Sequence, residues 1–204
     1  MAKIHTINMA PKNTNSVLIE SDGLAAIFDP WGAPKKWREL LAERELKLHA
    51  IYCTHGHFDH IMGIPDLDAP WYMHHGDLPV IDWSNKVLRT MFSKTIDLNK
   101  MPPRPISTGI MEILPGVTVE VLHLPGHSAG GVAFYFDSEK TLIIGDTLFQ
   151  DCYGRTDIVT GSESQMRESL KQIAAHGFPD DTLVIHGHGP NTTIKYLREN
   201  NPYF

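Results

Sequence analysis

"HAIYCTHGHFDH", His49 to His60, begins as an apolar, β-branched run and ends in a crowd of imidazoles. The first half reads as a buried strand. The second half places His55, His57, Asp59 and His60 within six positions. Neutral imidazole is a ligand for zinc or iron, and a carboxylate between two cations reduces their mutual repulsion. A strand that empties into such a loop suits a layered α/β protein with its site beyond the strand ends.

The chain repeats that arrangement. "VTVEVLHL" leads to His127 in "PGH", "TLIIG" leads to Asp146, and "TLVIHG" leads to His188 in "GHGP". Four strand ends therefore each deliver a histidine or a carboxylate, which predicts an assembled metal site. His55 and His57 alternate around Gly56 and can reach one metal from the same side of a tight loop. Asp59 and His60 are adjacent, point differently, and can serve a second metal. Further strands are expected at "KIHTIN", "SVLIE", "LAAIFD" and "GVAFYF", each bounded by Gly, Pro, Asp or Asn.

Helices fall between the strands. Pro34 opens one, with Trp37, Leu40, Leu41 and Leu48 expected on its buried face. "SESQMRESLKQIAAHG" carries a capping box at Ser162 and Gln165 and a C-terminal stop at Gly177. "TTIKYLREN" is a third. The segment 83–106, with Pro102, Pro103 and Pro105, is expected to be an irregular connection with a helical start.

Bulk properties narrow the function. A chain of 204 residues with 42% apolar and 21% charged residues fits one domain with a full core. A net charge of −6 without a basic stripe argues against nucleic acid. No apolar run approaches the roughly 20 residues that span a bilayer, and the first residues lack the apolar core of a secretory signal. Two cysteines are too few for a disulfide framework, so a reduced cytoplasm is expected. Cys53 reads as a buried inert thiol, and Cys152 has no cationic neighbour in sequence to activate it. His74 and His75 are expected at a strand end and helix start. His123 is expected either to sit in the core or to donate to a ligand or carbonyl. A serine mechanism finds no motif here.

The motifs "THGHFDH", "LPGHSAGG", "GDTLF" and "GHGP", spread over residues 54–190, resemble the ordered motifs of the metallo-β-lactamase superfamily. "YGRTDIVTGS" and the closing "GHGPNTTIKYLRENNPYF" resemble the short glyoxalase II-like hydrolases of bacteria. The resemblance implies a single-domain αββα sandwich, two sheets face to face with helices outside. It implies that His55, His57 and His127 bind one divalent metal. Asp59, His60 and His188 would bind the other, with Asp146 bridging. Zinc is the expected cation, with iron and manganese as alternatives. Of the two histidines in "HGH", His188 takes the G-H-G slot and His186 is expected in or beside the strand. The chain ends 16 residues past His188, so the C-terminal helical domain of full-length glyoxalase II is expected to be absent.

The activity implied is hydrolysis of a small-molecule thioester such as an S-2-hydroxyacylglutathione. Metal-bound hydroxide would be the nucleophile, oriented by Asp59 as the catalytic carboxylate. Arg155 stands nine residues after Asp146, where glyoxalase II has a lysine that contacts glutathione, and it is expected to bind a substrate carboxylate. Competing readings are a persulfide dioxygenase with a single iron, a lactonase, and a metal-binding protein without catalysis. The complete second ligand set favours hydrolysis over the mononuclear oxygenase.

Overall fold

The computed structural model describes residues 2–9 and 13–204. Its strands form two six-stranded sheets. The first runs in sequence order through β1 (Lys3–Met9), β2 (Thr14–Ser21), β3 (Leu24–Phe28), β4 (Lys47–Tyr52), β5 (Trp71–Met73) and β6 (Arg104–Pro105). The second holds β7 (Gly109–Leu114), β8 (Val117–His123), β9 (Val132–Phe136), β10 (Thr141–Gly145), β11 (Leu183–His186) and β12 (Thr192–Thr193), ordered β12-β11-β10-β9-β8-β7. β3 through β6 pair in parallel, as does β10 with β11, and the remaining pairs are antiparallel.

Period-two alternation explains the layering. On the first sheet Val17, Ile19, Ala26, Phe28, Ala50 and Tyr52 point inward and meet Val119, Val121, Phe134, Phe136, Ile143 and Ile185 of the second. The intervening residues Leu18, Ala25, Ile27, Ile51 and Cys53 point outward. They are covered by Trp37 of α1 (Pro34–Glu43) and by Ile81 and Leu88 of α3 (Leu78–Phe92). The outer face of the second sheet, with Leu122, Leu142, Ile144 and Val184, is covered by Met166, Leu170 and Ile173 of α4 (Glu163–Ala175) and by Ile194 and Leu197 of α5 (Ile194–Asn200). Strands buried on both faces read as nearly continuous apolar runs. The result is the expected αββα sandwich. A short helix, α2 (Phe58–Ile61), lies inside the first histidine loop.

Three expectations need correction. Leu48 is not on the first helix. That helix stops at Glu43, where Leu46 N donates to Leu41 O and Glu45 N to Ala42 O around a left-handed Glu45. This is a Schellman closure. Leu48 reaches the same cluster from β4, because a helix and the strand beside it fill one core. Segment 83–106 has the expected helical start and an irregular stretch over 93–103, but the helix is longer than expected: it begins at Leu78, with Pro79 in its first turn, and ends at Phe92. Buried Ser84 and Asn85 interrupt its apolar face and hide the period. Asn85 then anchors the following loop, donating to Ile96 O and accepting from Ile96 N. Finally, β7 was not anticipated, since its Ile110 and Met111 are not fully buried and its sequence carries little strand signal.

The capping box of α4 forms in half, with Ser162 N donating to Gly126 O instead of to Gln165. Ser162 Oγ accepts from Gln165 N at the start of α4, and Gly177 beyond its end has φ +85°. His74 caps the turn after β5. No helix among the described residues is long and apolar enough to cross a membrane.

Candidate metal centre

The ligand-bearing loops leave the carboxyl ends of β4, β8, β10 and β11, so one seam between the two sheets receives all of them. Each histidine is oriented by what its far nitrogen does. Thr54 Oγ1 donates its only proton to Asp29 Oδ2 at 2.7 Å, so the 3.0 Å contact with His55 is His55 Nδ1–H donating to Thr54 Oγ1. That leaves the His55 Nε2 lone pair facing the seam. His127 Nδ1–H donates to Arg155 O at 2.9 Å, which turns Nε2 inward, 2.8 Å from His57 Nδ1 and 3.6 Å from Asp146 Oδ2. His60 Nδ1–H donates to Asp29 Oδ2 at 3.0 Å, and its Nε2 lies 3.4 Å from Asp146 Oδ1. His188 Nε2 lies 3.4 Å from Asp59 Oδ2 and 3.5 Å from Asp146 Oδ2.

Three overlapping groups of donor atoms result, each lying within 4.8 Å of one another: His55, His57 and His127; His55, His60 and Asp146; and Asp59, His60 and His188. Asp146 stands between the other two sets. Whether the site fits metal ions can be judged from its unmet bonding. Buried His55 Nε2, His57 Nε2, His60 Nε2 and Asp146 Oδ1 have no hydrogen-bond partner. Such atoms cost about 1–3 kcal/mol each when left alone, so their convergence in one seam needs a compensating group. Divalent cations are that group chemically, and the imidazole and carboxylate donors suit zinc or iron.

The electrostatics agree. Burial and the neighbouring His60 and His57 rings hold His55 far below the ordinary histidine range. Burial and His127 push His57 down to about 3, so both rings are neutral donors at physiological pH. Burial also pushes His60 downward, but Asp146 and Asp29 outweigh it and raise the group well above its ordinary value.

All seven residues expected as ligands come together. The "HGH" ambiguity has a structural answer: His186 spends Nδ1 on Leu148 O at 2.6 Å and Nε2 on Thr192 Oγ1 at 2.8 Å. His188 faces the two carboxylates instead. Arg155 contributes its carbonyl to His127, while its exposed guanidinium forms a two-bond pair with Asp157 at 2.9 and 3.0 Å. Tyr153 Oη donates to Glu163 rather than facing the seam. His123 Nε2–H donates to Ala129 O in the loop that carries His127. Cys53 is fully buried, and its thiol is pushed up by burial and by Asp29. Cys152 is exposed and raised by burial and Asp151, so neither thiol is activated.

Sequence reasoning missed Asp29, Asn15 and Asp77. Asp29 closes "LAAIFD" as the ligands close their own strands, and that signal was available. Asp77 and Asn15 stand in unremarkable contexts.

The sequence model of the metallo-beta-lactamase superfamily matches residues 9–188. The chain belongs to the metallo-beta-lactamase superfamily. Among its relatives in that superfamily, the probable metallo-hydrolase YqgX of Bacillus subtilis is 31% identical, over 96% of this chain and 94% of its own. Hydroxyacylglutathione hydrolase GloC of Haemophilus influenzae is 30% identical, over 92% of this chain and 91% of its own. Two solved superfamily structures superpose with a TM-score of 0.84 each. One is TTHA1623 in a di-iron-bound form, 33% identical over 98% of this chain and all of its own. The other is the B3 metallo-beta-lactamase BLEG-1, 30% identical over 98% of this chain and 99% of its own. This superfamily member is accordingly a metallo-hydrolase in fold and family.

Proposed function

We propose that the protein is a dinuclear metallo-hydrolase acting on small thioesters of the S-2-hydroxyacylglutathione type. The observation that carries the reading is the pair of triads with Asp146 between them, where buried donor atoms lack any partner. In this reading His55, His57 and His127 hold one ion and Asp59, His60 and His188 the other, with zinc as the cation. The di-iron form of TTHA1623 supports iron as the alternative. The glutathione thioester is supported by the kinship with GloC, and BLEG-1 at similar identity shows why kinship alone does not select a substrate.

When bound, two divalent cations lower the pKa of water and polarise a carbonyl oxygen. The chain's own residues do the rest. Asp59, half-buried beside His188, is placed to accept a hydrogen bond from the attacking nucleophile and orient it. Asp146 keeps the two halves in register. A departing thiolate needs no protonating partner, which fits a site made of metal ligands. Arg155 offers a planar fork for a substrate carboxylate. Its present pair with Asp157 is exposed to solvent, where ion pairs are weak, so a substrate can displace it. The free thiols Cys53 and Cys152 fit a reducing cytoplasm. The test is elemental analysis of the purified protein alongside hydrolysis of S-lactoylglutathione. Two ions per chain with turnover is the expected result. Two ions with turnover only on lactones or β-lactams would replace the thioester assignment.

A further inference from the structure

Two buried polar side chains outside the ligand set hold the loops that carry it. Asp77 ends the turn before α3 and is fully buried. Its Oδ2 accepts from Gly56 N at 2.7 Å and from Ser128 Oγ at 2.8 Å, and its Oδ1 accepts from Gly130 N at 2.5 Å. Gly56 lies between His55 and His57, and Ser128 follows His127. All three bonds therefore go to the two loops of the three-histidine set, one on each sheet. Asn15 of β2 is also buried. Its Nδ2 donates to His186 O at 2.9 Å and Gly189 O at 2.8 Å, and its backbone N donates to Gly187 O at 2.8 Å. Asn8 Nδ2 donates to its Oδ1 at 2.9 Å and fixes which way the amide faces. Those bonds bracket His188 from both sides.

We infer that Asp77 and Asn15 are positioning residues, Asp77 setting metal affinity in the His55–His57–His127 half and Asn15 in the Asp59–His60–His188 half. The inference rests on the dinuclear reading above. The physical ground is that a ligand loop released from its brace must be reordered when the ion binds, and that ordering entropy is subtracted from affinity. Outer contacts that orient ligands typically change metal affinity 10- to 100-fold. Asp77 fastens the His55–His57 stretch ahead of α2, which carries Asp59 and His60, and Asn15 fastens the turn after β11, so the two halves of the centre can be loosened separately.

Zinc competition with a chromophoric chelator, on the full chain, tests this. His188→Ala leaves the three-histidine half intact, and His57→Ala leaves the other. Asp77→Asn replaces one acceptor with an amide donor facing other donors. It should weaken zinc binding roughly 10- to 100-fold in the His188→Ala background and less than about twofold in the His57→Ala background. Asn15→Ala should show the reverse pattern. Ser128→Ala removes one of the three Asp77 bonds at little risk to folding, and should share the Asp77 preference with a smaller effect. Equal losses in both backgrounds, or none, would overturn the braces. A wild-type chain that binds two zinc ions while the variants show no site preference leaves the dinuclear reading standing. A wild-type chain that binds none removes both.

Discussion

Asp146 Oδ1 occupies the space that a side chain at position 187 would need, and His60 Cε1 closes the other side at 2.9 Å from an ideal Cβ. Gly187 is thus the residue that lets the β11 turn pass the Asp146 carboxylate. Gly187→Ala should displace Asp146, costing about 1–3 kcal/mol through overpacking and lowering bound metal together with turnover. Unchanged thermal stability with two ions retained would show that the seam is looser than described.

The two histidines of "HGH" should separate cleanly. His188→Ala is expected to lose one ion, since its Nε2 faces the Asp59 and Asp146 carboxylates. His186→Ala should retain both ions yet destabilise the fold by about 1–3 kcal/mol, because Leu148 O and Thr192 Oγ1 lose their partner. The opposite pattern in elemental analysis would reverse the ligand assignment.

Asp146→Ala removes the carboxylate lying within 3.6 Å of His60, His127 and His188. Turnover should vanish and metal content fall. A variant that keeps two ions and a near-normal rate has no bridge at this position.

Arg155→Ala should raise KM for a carboxylate-bearing thioester, corresponding to about 1.5–3 kcal/mol for a lost charged hydrogen bond. kcat, metal content and stability should stay near wild type, and a neutral thioester should be barely affected. Equal losses on both substrates, or a fall in stability, would make the guanidinium a brace for its own loop through Asp157.

Glu20 gives a pH-dependent term far from the seam. Burial raises its carboxyl, but hydrogen bonds from Lys3 and Arg44, with His5 nearby, outweigh that and bring it below 4.5. A depressed carboxyl stabilises the fold above its unfolded value and loses that contribution as pH falls through the folded one. The melting-temperature gap between wild type and Glu20→Gln should be present at pH 7 and shrink below about pH 4. A gap independent of pH would assign the effect to packing.

The layers and the ligands were legible because both rest on short-range patterns. Inward Phe28 and Tyr52 and outward Ile27 and Ile51 alternate within single strands, and each ligand follows an apolar run directly. The full length of α3 was hidden because Ser84 and Asn85 serve long-range contacts, Ser84 donating to Gly56 O and Asn85 holding Ile96. Asn15 was hidden for the same reason: the carbonyls its amide donates to lie 171 and 174 positions away. Local pattern reports which side chains want burial or metal, and it is silent on which distant loop a lone amide will hold.

The donor loops come from opposite sheets, β4 on one and β8, β10 and β11 on the other. An ion held between them would act as a rivet through the sandwich at its open end. Hydrogen exchange should therefore respond to zinc well beyond the ligands, slowing the amides of β4 and β10 together, as binding to the native state alone adds about 2.7 kcal/mol at a hundredfold excess over Kd. Stripped of its ions, the molecule would be expected to part along that edge before its aromatic interior, around Phe28 and Phe134, came loose.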